Sequence, residues 1–454
     1  MPLIAHPSQT NRPRHPARPR RAAAASALAV LAVAGPLVGC AAGSSGSAAA
    51  GPTSSGTPAG TSTAAAGSGS APNSAASPGT GTTASDTASG TACHQGQPAQ
   101  SGTTPGGSAP ALAAIQFTDA DHGWIAGAGR IMATTDGGGT WTRQYDGPAA
   151  LDQVDFTDAD HGWAAGADTL LRTVNGGGTW TALTEPCQGE LSSIHFLSPD
   201  VGYAVAAKTV ANTTSLPAGG PYTLSLNGTL MRTTNGGATW SPVTSTPANP
   251  QSACFASEQD GYLGTPGNIW HTTDGGQHWT LALSEPKATG NPDAPADTAD
   301  IECAGPSGLW ALFLGQGAAT GHAPYLAYAS QNGQTWHGVL EEQFTESALR
   351  PSLKLPEGPG SYPGPISAID PGQAVFVGYT PPLGYGAAPM MLASDNGAAL
   401  TKEGDVGTIN EPMAAAFLSQ NQGWVVGENL RTQAFDVEAT SDAGRTWTTQ
   451  YTTG

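Results

Sequence analysis

The stretch TTDGGGTW at residues 134–141 returns along the chain as RTVNGGGTW, RTTNGGATW, HTTDGGQHW and TSDAGRTW. One copy would close a tight hairpin. Many copies at long spacing mark a repeat architecture, in which each unit leaves a face for the next to cover. Aligned on the closing residue, the units end at Trp141, Trp180, Trp240, Trp279, Trp336, Leu400 and Trp447. Unit 1 contains four short apolar runs, ALAAIQF, WIAGAG, RIMAT and TWTRQY, separated by the turns TDADHG and TDGGG. Runs of this length bounded by turn residues read as strands. Four strands in a meander, repeated, make one blade of a β-propeller. Seven units over about 345 residues give roughly 49 per blade, normal for propellers with loop insertions. The expected fold is therefore all-β, a seven-bladed propeller of four-stranded blades over residues 109–454.

Each turn has a physical logic. A side-chain acceptor binds turn N–H groups, glycines supply positive φ, and the indole covers apolar surface between sheets. The acceptor is Asp136, Asn175, Asn235, Asp274, Asp395 and Asp442 in six units. In unit 5, before Trp336, it becomes Gln331, so that turn is expected to be irregular. The pattern Thr134-x-Asp136-x-Gly138-x-Thr140-Trp141 resembles the Asp-box of bacterial-neuraminidase-type repeats. Together with F-x(5)-G-W-x-x-G, as in Phe117 to Gly127, it is similar to the photosystem II stability/assembly factor family. The resemblance covers residues 111–451. It implies a seven-bladed propeller that binds membrane proteins through an arginine-rich surface. Arg172 and Arg232 precede their turns at matching places, but the other units carry Ala133, His271, Tyr328, Leu392 and Ala439 there.

Residues 1–39 read as a secretory signal: basic RPRHPARPRR, then the apolar run AAAASALAVLAVAGPLVG. The run ends in Leu37-Val38-Gly39-Cys40, which resembles the bacterial lipoprotein box. That resemblance implies a lipid on Cys40 and an extracytoplasmic, membrane-anchored chain. Residues 40–108 are rich in Ala, Gly, Ser, Thr and Pro, with almost no large apolar side chain. They bury too little surface to repay ordering, and read as a disordered tether with a reach of roughly 45 Å.

Four further cysteines, Cys93, Cys187, Cys254 and Cys303, suit disulfides. Cys254 and Cys303 fall on the first strands of neighbouring units. The expected pairs are Cys254–Cys303 and Cys93–Cys187.

Acidic residues number 34 against 16 basic ones, with no basic stripe to suit a nucleic acid. No phosphate loop, metal spacing or nucleophile elbow occurs, so no metal, cofactor or catalytic residue is assigned. Acids in LEEQFTE and NPDAPADTADIE read as solvated loop carboxylates, and His122 and His161 in the repeated DADHG as turn residues. The favoured function is a monomeric, non-catalytic binding or assembly scaffold for a protein or cell-envelope glycan. The alternative is a glycoside hydrolase of sialidase or endoglucanase type. In a meander, the first-to-second turns and the Asp-box turns share one face. The insertions, at 206–228, 284–300, 314–324, 341–365, 379–389 and 428–436, share the other. That face is the candidate binding surface, with Tyr222, Arg350, Lys354, Tyr362, Tyr379, Tyr385 and Arg431 as anchors.

Overall fold

The computed structural model describes residues 111–454, apart from 167–168, 186–189, 210–224, 287–296, 306–307, 316–321, 343–352, 381–385 and 387. The seven repeats are seven antiparallel sheets, each continuous in sequence. Blade 1 is β1 (Leu112–Phe117), β2 (Gly123–Thr134) and β3 (Thr142–Ala150). Blade 2 is β4 (Gln153–Phe156), β5 (Gly162–Gly166), β6 (Thr169–Thr173) and β7 (Thr181–Leu183). Blade 3 is β8 (Glu190–Phe196), β9 (Gly202–Thr209), β10 (Ser225–Thr233) and β11 (Ser241–Pro242). Blade 4 is β12 (Ser252–Phe255), β13 (Gly261–Thr265), β14 (Asn268–Thr272) and β15 (Thr280–Ser284). Blade 5 is β16 (Thr298–Ala304), β17 (Gly308–Leu314), β18 (Tyr325–Ser330) and β19 (His337–Glu342). Blade 6 is β20 (Tyr362–Asp370), β21 (Gln373–Tyr379), β22 (Ala388–Ser394) and β23 (Ala399–Val406). Blade 7 is β24 (Glu411–Phe417), β25 (Gly423–Asn429), β26 (Ala434–Thr440) and β27 (Thr448–Thr452).

In blade 1, β2 does the work of two strands. Its first half pairs with β1 and its second half with β3. The chain turns back at Gly129, whose φ is 72°.

The core lies between the blades, with one apolar cluster at each interface around the ring. The F-x(5)-G-W motif builds these interfaces. Trp124 of blade 1 stacks on Phe156 of blade 2 at 3.6 Å between centroids, and Trp163 on Phe196 at 3.5 Å. Tyr203 stacks on Phe255 at 3.5 Å. Each such Phe also meets its own blade's Asp-box tryptophan edge-on, as Phe156 does Trp180 at 5.9 Å. Offset-stacked and edge-on pairs each add about 0.5–1.5 kcal/mol beyond area burial. The glycine of the motif is forced by this packing. A Cβ at Gly162 would stand 2.3 Å from the Phe156 ring.

A second ring of contacts joins the first strands. Gln116 of blade 1 accepts the Phe156 N–H at 2.6 Å, and Asp155 of blade 2 accepts the Phe196 N–H at 2.5 Å. His195 of blade 3 donates Nε2–H to the Phe255 carbonyl at 2.9 Å. Between blades 4 and 5 the link is covalent: Cys254 and Cys303 form a disulfide, with Cα atoms 5.7 Å apart. Glu302 of blade 5 accepts the Ala368 N–H at 3.1 Å, and Ser367 of blade 6 accepts the Phe417 N–H at 2.8 Å.

The seam between blades 7 and 1 closes without an exchanged strand. Trp424 stacks on Phe117 at 3.6 Å. Its indole N–H reaches the Gly137 carbonyl at 3.2 Å, where Gln450 Nε2 also donates at 3.1 Å.

Candidate functional site

The Asp-box is a closed set of hydrogen bonds. Thr134 is buried, donates its hydroxyl to Asp136 at 2.8 Å and accepts the Gly138 N–H at 2.8 Å. Asp136 accepts the Thr140 N–H and hydroxyl, each at 2.8 Å. Gly137 and Gly138 have φ of 67° and 91°. The same bonds recur at Thr173/Asn175, Thr233/Asn235, Thr272/Asp274 and Thr440/Asp442. The inner threonine, which the acceptor-and-glycine pattern alone does not reveal, ties the acceptor to the second glycine of the turn. These bonds hold the carboxylates ionised. The Thr140 N–H is the leading cause of the lowered Asp136 pKa, and His278 draws Asp274 down to about 2. Their contribution to stability is present above the ordinary carboxylate range and is lost as pH falls toward 2.

Two turns depart from expectation. In blade 5 the acceptor is Asn332, not Gln331. Asn332 accepts the Gln334 and Thr335 N–H groups at 2.9 and 2.8 Å, and Ser330 replaces the inner threonine. The turn is one residue shorter, which shifts the alignment without losing the acceptor. In blade 6, Asp395 is left-handed at φ 52°, followed by Asn396 at 56° and Gly397 at 79°. There the Asp395 carbonyl accepts the Ala398 N–H at 3.0 Å. Asp395 thus lies in a tighter turn and does not take the Asp136 role.

The indoles divide. Trp279, Trp336 and Trp447 donate to carbonyls of their own turns, at 3.1, 3.2 and 3.0 Å. The indole nitrogens of Trp141, Trp180 and Trp240 are buried without a hydrogen bond.

The two faces of the propeller differ. Gly137, Gly176, Gly236 and Gly275 each donate N–H to the first-to-second turn of their own blade, at Asp121, Asp160, Asp200 and Gln259, over 2.8–2.9 Å. The repeated DADHG turns are stapled internally: Asp119 accepts the Asp121 and His122 N–H groups at 2.8 Å, and Asp158 does the same for Asp160 and His161. Lys354 and Arg431, in the described parts of the other connections, are exposed. Tyr222, Arg350 and Tyr385 lie outside the described residues, as do Cys40, Cys93 and Cys187. Tyr362 and Tyr379 are corrected. They are 4% and 5% exposed, on β20 and β21, with rings 5.2 Å apart. They pack with Ala323 in a small buried cluster and are not exposed anchors. The 428–436 connection is also shorter than expected, since β25 and β26 leave only residues 430–433 between them.

The acids of LEEQF and TADIE are likewise not loop residues. Glu341 and Glu342 are buried on β19, where Glu341 accepts the Leu353 and Leu355 N–H groups at 3.1 Å. Asp300 and Glu302 lie on β16, in the wall of the central channel formed by the first strands. The channel encloses about 490 Å³. Asp300 is open to the channel, and the strands packed around it desolvate its carboxylate and raise its pKa. Burial pushes Glu302 up to about 8, with repulsion from Asp300 adding and the Ala368 N–H opposing. In the folded chain Glu302 keeps its proton between its ordinary 4.5 and about 8, where the unfolded chain has lost it. Stability should therefore fall as pH rises through that window. Glu302→Gln keeps the acceptor for Ala368 and should remove about 2–4 kcal/mol of that fall. Denaturation midpoints at pH 5 and 8.5 test this; a wild-type change no larger than the variant's would refute it.

Comparison with known proteins adds one family. Residues 107–184 match the model of photosynthesis system II assembly factor YCF48. The matched stretch is blades 1 and 2, where the F-x(5)-G-W and Asp-box motifs are least altered. Among solved structures, the Niastella koreensis GH74 enzyme is similar at 14% identity and TM-score 0.53, over 75% of this chain and 54% of that one. This chain thus spans about half the length of that enzyme, and the likeness is one of fold. YCF48 from Cyanidioschyzon merolae is 16% identical over 74% of this chain and 95% of its own, with TM-score 0.45. YCF48 bound to D1 peptide is 17% identical over 70% and 89%, with TM-score 0.44. No curated protein matches the chain. Among the described residues, no group of three or more His, Cys, Asp or Glu could hold a metal ion.

Proposed function

We propose that this chain is a membrane-tethered, extracytoplasmic propeller that acts as a non-catalytic binding or assembly scaffold, with a protein as its partner. One observation carries the reading: the two faces are built for different purposes. Every Asp-box of the regular blades is tied to the neighbouring turn of its own blade, leaving that face short-looped and rigid. The long connections leave from the other ends of these strands, and their described residues Lys354 and Arg431 are exposed. Variable loops on a rigid scaffold are where binding concentrates. The match of blades 1 and 2 to the YCF48 family supports an assembly role. Removing residues 343–352, whose returning segment is anchored by Glu341, should weaken partner capture by about tenfold or more, taking loss of one interface hot spot as the guide. Asp119→Ala with His122→Ala should leave capture unchanged. Cross-linking from intact membranes followed by footprinting decides it, and a footprint on the Asp-box face would overturn the assignment.

The tether is part of the proposal. Cys40 would carry the lipid, and two or more acyl chains hold stably at roughly 0.8 kcal/mol per buried methylene. Metabolic labelling with palmitate should be lost in Cys40→Ala; label that persists would disprove the anchor.

The fold likeness to a GH74 enzyme favours a second reading, a glycoside hydrolase. Turnover of β-glucans or sialosides by the purified chain would establish it in place of the scaffold.

A further inference from the structure

We propose that the central channel is a binding site for a small organic ammonium ion, a cationic nitrogen carried on an apolar body. This is independent of the loop face. The channel volume of about 490 Å³ lies within the range of small-molecule sites. Its lining mixes apolar and acidic groups. Blades 5, 6 and 7 supply Leu314, Ile366 and Met413. Blades 3 and 5 supply Ser193, Thr298, Asp300 and Glu302.

Asp300 and Glu302 are two residues apart on β16, so they share a face. Asp300 accepts the Ile301 N–H at 2.9 Å, and Glu302 the Ala368 N–H at 3.1 Å. Once ionised, each carboxylate has about four acceptor positions, so each then has capacity for a further donor. No described ion pair involves either residue. An ammonium group offers three donors and a compensating charge, while its apolar body covers Leu314, Ile366 and Met413. An anion would be repelled, and a neutral alcohol would gain only the apolar contacts. Binding would draw both carboxyls toward ionisation and release protons. Asp152 of blade 2 is the other titratable side chain in the lining. The strands flanking β16 present Ser252 and Ala368 to the pair.

The test is calorimetric titration of the purified full-length chain with n-hexylammonium, 1-hexanol, hexanoate and calcium. Hexylammonium should bind saturably and at least ~10-fold more tightly than hexanol, the value of one charge-assisted hydrogen bond. Hexanoate should show no binding. Repeating the titration in buffers of different ionisation heat should reveal proton release at pH 7. Asp300→Asn and Glu302→Gln, each checked for an unchanged melting profile, should each weaken hexylammonium about 10-fold. The proton-release measurement uses the wild-type chain, so it decides the matter even if a variant misfolds. Equal binding of hexanol and hexylammonium, absence of proton release, or variants that bind as wild type would overturn the assignment. So would calcium binding without hexylammonium binding, or binding of a blocked lysine peptide in place of the free amine.

Discussion

Trp424→Ala is expected to destabilise the propeller by about 3–5 kcal/mol, the usual loss for a buried aromatic truncated to alanine. Trp424 is 2% exposed and sits at the ring's seam. Every other interface joins blades that follow one another in sequence, so the chain holds them close even when contacts loosen. Blades 7 and 1 have no such link, and no strand is exchanged between them. Their closure rests on the Phe117–Trp424 stack, the cluster around Leu112, Ile125 and Val426, and two donors on the Gly137 carbonyl. Truncation removes the stack and one donor together. Equilibrium denaturation measures the loss, and a dye pair on blades 1 and 7 reports whether the seam parts first. A variant that loses less than about 1 kcal/mol, or whose seam stays closed until global unfolding, would show that closure is held elsewhere.

Removing the Cys254–Cys303 disulfide should destabilise the chain by about 2–5 kcal/mol. The bond closes a separation of 49 residues. It also stands at an interface without the usual stack. Blade 5 has Ala304 at the end of its first strand where blades 1–4 have phenylalanine. Tyr262 of blade 4 therefore stacks on His271 of its own blade at 4.3 Å. The covalent link occupies the position filled by Gln116, Asp155 and His195 at the interfaces before it. In the Cys254→Ser, Cys303→Ser protein, hydrogen exchange should quicken first on β12 and β16. Uniform loss of protection across all seven blades would refute a local role.

Much of this architecture was legible in the sequence. The Asp-box and F-x(5)-G-W are local devices, so their spacing alone predicted the strands, the turns and the number of blades. Side-chain roles that depend on how far a strand extends, on turn length or on another blade were not legible. Tyr362 and Tyr379 look like interface anchors in a polar loop, yet they pack on each other because β20 and β21 extend further than their composition suggests. Asp395 reads as an Asp-box acid, but a one-residue shortening moves it into a left-handed turn. The same shortening in blade 5 makes Asn332 the acceptor.

Local chemistry thus determined the repeat: glycines that permit positive φ, acceptors that bind turn N–H groups, aromatics that need cover. Tertiary structure alone decided which first-strand side chain latches the next blade and which faces the channel. Successive residues of a strand point in opposite directions. Only closure of the ring says which direction is a neighbour and which is the axis. Asp155 and Glu302 are both acids near the end of a first strand. Both latch the next blade through a backbone N–H, but only Glu302, with Asp300 beside it, also lines the channel.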